Sequence, residues 1–116
     1  MVRLADNKSL KYSVIPFSLF TGYLEYNDID IPELKGEKDY VLFYGFVVDY
    51  KGLDMLLEAV HKLMNRGFTK KIVVAGGGNV DCLATIKKEK SFIVINRWIE
   101  NVEISTLIRN CHIVVC

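Results

Sequence analysis

The chain has 116 residues, of which 51% are apolar and 25% charged, which gives one packed domain and argues against disorder. Its 15 basic and 14 acidic residues leave a net charge of +1, too little for the electrostatic footprint of a nucleic-acid binder. No apolar run approaches the roughly 18 residues of a membrane span, and mixed polar residues follow Met1 where a signal peptide would be apolar, so a cytoplasmic setting is expected.

In chain order, Tyr12–Ile15 reads as a short strand ended by Pro16. The stretch from Asn27 to Asp39, rich in Asp, Glu, Lys and Gly and containing Pro32, reads as a connecting loop. Tyr40–Phe46 is a compact apolar run, predicted to be a buried strand. Leu53, Leu56, Leu57, Val60, Leu63 and Met64 follow helical spacing, with Gly67 placed to cap the helix. A second apolar strand, Lys71–Ala75, ends in Gly76-Gly77-Gly78. The pattern continues with a helix over Asp81–Lys90, a strand Phe92–Ile95, a helix Glu103–Asn110 and a strand His112–Cys116. Strands that are apolar throughout and alternate with helices predict an α/β fold, a Rossmann-like parallel sheet with helices on both faces. Ligands of such sheets gather at the carboxyl ends of the strands, here the loops Phe46–Gly52, Gly76–Val80 and Asn96–Asn101.

Three motifs fall at those ends. Gly45 to Gly52 forms a strand–loop–helix with Lys51 at the turn. A helix start offers unpaired N–H groups and partial positive charge, and a lysine adds a full one, which suits a phosphate. The bland alternative is a surface lysine beside a turn glycine. A Walker A loop is excluded because Lys51-Gly52 is followed by Leu53, not Ser or Thr. Gly76 to Gly78 would let backbone approach a ligand closely, or is simply a tight turn. It lacks the third glycine of the dinucleotide fingerprint. At Asn96-Arg97-Trp98-Ile99, Arg97 offers a charge for phosphate and Trp98 a stacking surface, although packing as a domain-edge aromatic is the favoured reading for Trp98. No metal site is expected. Cys82, Cys111 and Cys116 are odd in number and match no zinc spacing, and neither His61 nor His112 has a nameable acid–base partner. No catalytic residue is assigned.

Taken together, VLFYGFVVDYKGLDMLLEAV, KIVVAGGG and NRWIENVEISTLIRNCHIVV resemble the first part of the carboxy-terminal, nucleotide-sugar-binding domain of glycosyltransferase family 4. That family has the GT-B fold, two Rossmann-like domains with the active site between them. The resemblance covers residues 40–116. It implies that residues 1–39 are an irregular connector from an acceptor domain and that 40–116 form an incomplete nucleotide-sugar-binding domain. It also implies a retaining, metal-independent transfer of sugar from a UDP- or GDP-sugar donor to a glycan or lipid-linked acceptor, as in polysaccharide biosynthesis, without a cofactor. By the same resemblance Gly45 lies under the donor diphosphate and Lys51 pairs with it beside Gly52. Gly76 and Gly77 line the nucleotide crevice, and Ile99 touches the base through its backbone.

Two departures temper that expectation. Many members carry an arginine between the glycine and the lysine, but here the loop reads Phe46-Val47-Val48-Asp49-Tyr50. In the family the fourth strand is followed by two glutamates spaced eight apart, whereas this sequence stops at the strand. The expectation is therefore a domain inactive alone, with peripheral membrane association compatible with the full enzyme. The alternative is a non-catalytic nucleotide-binding or protein-interaction module, and pairing of an uncovered sheet edge into a homodimer fits either reading.

Overall fold

The structure, a computed structural model, describes residues 26–48 and 52–115. The expected strand Tyr12–Ile15, Lys51 and Cys116 lie outside the described residues. Four strands, β1 (Tyr40–Tyr44), β2 (Ile72–Ala75), β3 (Phe92–Ile95) and β4 (Cys111–Val115), form one parallel sheet in the order β3-β2-β1-β4. The crossovers carry α1 (Leu53–Met64), α2 (Leu83–Lys88) and α3 (Asn101–Asn110). This is the α/β, Rossmann-like arrangement expected from the pattern.

Alternation along the strands builds two cores. On one face Val41, Phe43, Ile72, Val74 and Phe92 meet Leu53 and Val60 of α1 and Leu83 and Ile86 of α2. On the other Tyr40, Leu42, Val73, Ala75 and Ile95 meet Ile104 and Leu107 of α3. Ile31 and Leu34 also enter this second core, flanking and ending a single 3-10 turn at Pro32–Leu34. The connecting loop is therefore partly a structural layer. Its backbone is tied to α3, where Ile29 N–H donates to Thr106 Oγ1 at 3.0 Å. The Tyr40 hydroxyl is fully buried and donates to the Leu107 carbonyl at 2.8 Å, linking β1 to α3 across the core. Burial holds its pKa above the ordinary phenol value.

Element ends differ from the sequence reading in instructive ways. β1 stops at Tyr44, not Phe46, because Gly45 adopts φ +134° and turns the chain out of the ladder. Pairing then resumes: Val47 N–H donates to the Gly77 carbonyl at 2.8 Å, and Val47 bridges Gly78. α2 is shorter than Asp81–Lys90, because Asp81 and Cys82 form a turn and Glu89 is extended. α3 starts two residues before Glu103, since Glu103 serves as the third residue of a capping box with Glu100. The turn after α1 closes on Gly67 as expected, its N–H donating to Met64 O while Phe68 N–H reaches Leu63 O, the paired bonds of a Schellman motif.

Candidate functional site

The sheet order reverses direction between β1 and β4, so ligands are expected outside the carboxyl ends of the strands. A crevice of about 380 Å³ lies at those ends on the α3 face. Its walls are Tyr44, Gly45 and Phe46 leaving β1, Ala75, Gly76 and Gly77 leaving β2, Arg97, Trp98 and Ile99 leaving β3, and Ile104 from α3. Of the residues singled out from the sequence, Gly45, Gly76, Gly77 and Ile99 thus come together. Gly52 does not line this crevice among the described residues. It caps α1 with φ +78°, and α1 opens beside a second cleft lined by Val48, Leu53, Asp54, Val80, Asp81 and Cys82.

The glycines divide into two physical roles. A Cβ on Gly76 would lie 1.7 Å from the Gly45 carbonyl oxygen, and one on Gly78 would lie 2.3 Å from that of Val47. These two glycines are required by the approach of the β2 exit to the β1 exit. At Gly45 a Cβ would meet nothing within 4 Å, and at Gly77 its nearest neighbour is Arg97 backbone at 3.8 Å. Asn96 fixes the loop, its side-chain amide donating to the carbonyls of Gly76 and Gly78 at 3.0 Å each.

Arg97 is not a free charge for phosphate. Its Nε donates to Glu33 Oε2 at 2.8 Å and its NH1 to Glu103 Oε1 at 2.9 Å, and NH2 reaches both carboxylates. NH1 also reaches the Trp98 carbonyl at 3.1 Å. The guanidinium holds both carboxyls below their ordinary pKa, and they raise that of Arg97. This clasp joins three elements: the 3-10 turn, the β3 exit and the capping box of α3. Trp98 does not pack against the domain, as the sequence reading favoured. It is 71% exposed, and Phe46 across the lining is 62% exposed.

The histidines lie elsewhere. His61 Nε2 meets Glu89 Oε1 at 3.0 Å, and His112 Nδ1 meets Asp39 Oδ1 at 3.2 Å beside Lys70, which also pairs with Asp39. Asp39, Lys70 and His112 sit at the amino ends of the strands, opposite the crevice.

Residues 18–116 match the family model of glycosyl transferases group 1. The chain belongs to the group 1 glycosyltransferases. No curated protein and no solved structure gives a significant match. Within this glycosyltransferase chain, glycosyl transfer is the family's chemistry, and family membership implies a nucleotide-sugar donor. No helix among the described residues is long and apolar enough to cross a membrane.

The sequence reading did not find the Asn96 and Glu33 contributions. Asn96 was visible as a polar residue at a strand end, but its partners lie 18 and 20 positions away. Glu33 lies 64 positions from Arg97, with no local pattern to pair them.

Proposed function

We propose that this chain is the donor-binding part of a family 4 glycosyltransferase with the GT-B fold, residues 1–39 acting as a connector and 40–116 as the nucleotide-sugar-binding domain. The donor is a UDP- or GDP-sugar and the acceptor a glycan or lipid-linked saccharide, as in polysaccharide assembly at the cytoplasmic face of a membrane. One observation carries this reading: in a group 1 chain, Gly45, Gly76, Gly77 and Ile99 converge on one crevice at the carboxyl ends of the sheet.

In this reading the nucleoside lies along the Trp98–Ile99 strip, where backbone groups read the base. The diphosphate passes over the open side of Gly45, and Lys51 supplies the charge that pairs with it. Lysine and backbone N–H groups offset charge developing on the leaving diphosphate, so no metal is required. The transfer retains anomeric configuration. This chain does not turn over donor alone. Among the described residues no carboxylate lines the crevice, and the neighbouring Glu33 and Glu103 are engaged by Arg97.

Calorimetric titration with UDP and GDP tests the reading. Saturable binding of one of them, weakened about tenfold by Lys51→Ala, supports it, since one charge-assisted contact contributes about 1.5 kcal/mol. Absence of binding by both nucleotides refutes it.

A second reading, an interaction module, is favoured by β4. Among the described residues this strand pairs with β1 alone, and its Ile113 and Val114 are exposed. Unpaired strand edges with apolar side chains recruit further strands, so a homodimer through β4 is the form this reading takes. Sedimentation of the wild type and Ile113→Lys distinguishes it. A dimer lost in the variant supports the module, and a monomer in both refutes it.

A further inference from the structure

We propose that the end of the sheet opposite the crevice carries a lysine-rich surface that docks on an anionic lipid bilayer. The inference goes beyond the nucleotide-sugar reading and is independent of it, since none of the residues that carry it lines the crevice.

α1 and α2 cover the same face of the sheet and run against the strand direction, so their carboxyl ends meet at the amino ends of the strands. Two contacts join them there. His61 in the last turn of α1 meets Glu89, just after α2, at 3.0 Å, and Lys71 on the way into β2 donates from Nζ to the Lys90 carbonyl at 2.8 Å. Around this junction stand Lys62 and Arg66 at the end of α1, Lys87 and Lys88 in the last turn of α2, and Lys90 ahead of β3, all exposed. Lys62 pairs with Glu58 at 3.3 Å. Arg66, Lys87, Lys88 and Lys90 meet no carboxylate within ion-pair distance among the described residues. Positive charge is therefore concentrated at this end of a chain whose net charge is only +1. Compensation of the helix dipoles accounts for Lys62, Lys87 and Lys88. It does not account for Arg66 and Lys90, which stand beyond the C-caps Asn65 and Glu89.

Two features select a bilayer over a nucleic acid. Most of these charges are lysine ammonium groups, compact point charges on flexible stems that suit a diffuse layer of anionic headgroups, whereas defined phosphates and bases favour the planar fork of arginine. In addition, Leu63 is 43% exposed between Lys62 and Arg66, whose N–H donates to the Leu63 carbonyl at 2.9 Å. A leucine flanked by cations gains by entering the boundary between headgroups and acyl chains, and gains nothing against a phosphate backbone. Docking at this end leaves the crevice open to solvent.

Co-sedimentation of the full chain with vesicles tests the surface, using phosphatidylcholine alone and phosphatidylcholine with about one-third phosphatidylglycerol. At about 0.1 M salt the chain is expected to bind the anionic vesicles at least about a hundredfold more tightly than the neutral ones, and about 1 M salt should release it. Lys87→Gln, Lys88→Gln and Lys90→Gln together should weaken that binding by about a hundredfold, since each lysine near the surface contributes about fivefold. Leu63→Ser should weaken it by about three- to tenfold and leave its salt dependence unchanged. All four positions are exposed, so the variants should keep the circular dichroism and the nucleotide binding of the wild type. Equal binding to neutral and anionic vesicles, or binding to neither, overturns the inference. So does a triple variant that binds as the wild type does, which would put the lipid contact elsewhere in the chain. Single-stranded RNA that binds more tightly than the vesicles and depends on the same lysines assigns the surface to nucleic acid and overturns it too.

Discussion

Gly76→Ala is the sharpest perturbation available at the crevice, because geometry assigns Gly76 and its neighbour Gly77 different roles. Gly76 sits at φ +146°, and an added Cβ would lie 1.7 Å from the Gly45 oxygen and 2.7 Å from its carbonyl carbon. Ordinary contact begins near 3.4 Å, so the two strand exits must separate by well over an ångström. Two bonds hold them at present, Gly45 N–H to Ala75 O at 3.0 Å and Val47 N–H to Gly77 O at 2.8 Å. Losing both costs about 2 kcal/mol, and forcing alanine into that backbone region adds about 1–3 kcal/mol. The sum, about 3–5 kcal/mol, is a large fraction of the roughly 5–15 kcal/mol that stabilises a domain. Gly77→Ala meets Arg97 backbone at 3.8 Å, an ordinary contact, and should change stability by less than about 0.5 kcal/mol. Urea unfolding followed by circular dichroism compares the two. With a slope of about 1.5 kcal/mol per molar, Gly76→Ala should lower the midpoint by about 2–3 M while Gly77→Ala leaves it in place. Equal midpoints for Gly76→Ala and wild type would show that the two exits do not approach as closely as the geometry states.

Arg97→Met should destabilise by about 1–2 kcal/mol in thermal unfolding, because it leaves the Glu103 carboxylate, only 12% exposed, beside Glu33 without a counter-charge. The Glu33 and Glu103 pKa values are depressed in the fold, so their contribution is complete above the ordinary value of 4.5 and fades as the pH falls through their lower folded values. Acid titration of the wild type should show this loss below pH 4.5, and the loss should be smaller in Arg97→Met. Tyr40→Phe removes the donor to the buried Leu107 carbonyl and should cost about 1–3 kcal/mol by chemical unfolding, with little effect on ligand binding since Tyr40 is remote from the crevice lining. His61→Ala removes an exposed partner of Glu89 and should shift stability by less than about 1 kcal/mol at neutral pH.

The fold was legible because its strongest determinants are local. Strands β1 to β3 are short apolar runs bounded by glycine or polar residues. Phe92–Ile95 has the same bounds in sequence and structure. The helical stripe of α1 and its Gly67 terminus were equally plain. The ends were harder to read, since β1 stops where Gly45 turns and α3 starts where a capping box can form. Both depend on backbone geometry that composition does not encode. The site was legible as a set of strand-end loops, and its charge state was not. Arg97 looks like a phosphate ligand in sequence because its two carboxylate partners lie 64 and 6 positions away and fold onto it from separate elements. Trp98 looked like a packing residue because a tryptophan is usually largely buried, yet here the β3 exit holds it outward. Gly76 looked like a ligand-approach glycine, and it both lines the crevice and is required by the close approach of the Gly45 backbone.

The most direct measurement is amide chemical-shift mapping of the full chain with UDP and GDP. Binding at the strand-end crevice predicts that Gly45, Phe46, Gly77, Trp98 and Ile99 shift together and saturate with one constant, while Asp39, His61 and His112 at the far end stay fixed. Shifts centred on the cleft of Asp54, Asp81 and Cys82, or no saturable shifts with either nucleotide, would contradict the assignment of this crevice as the donor site.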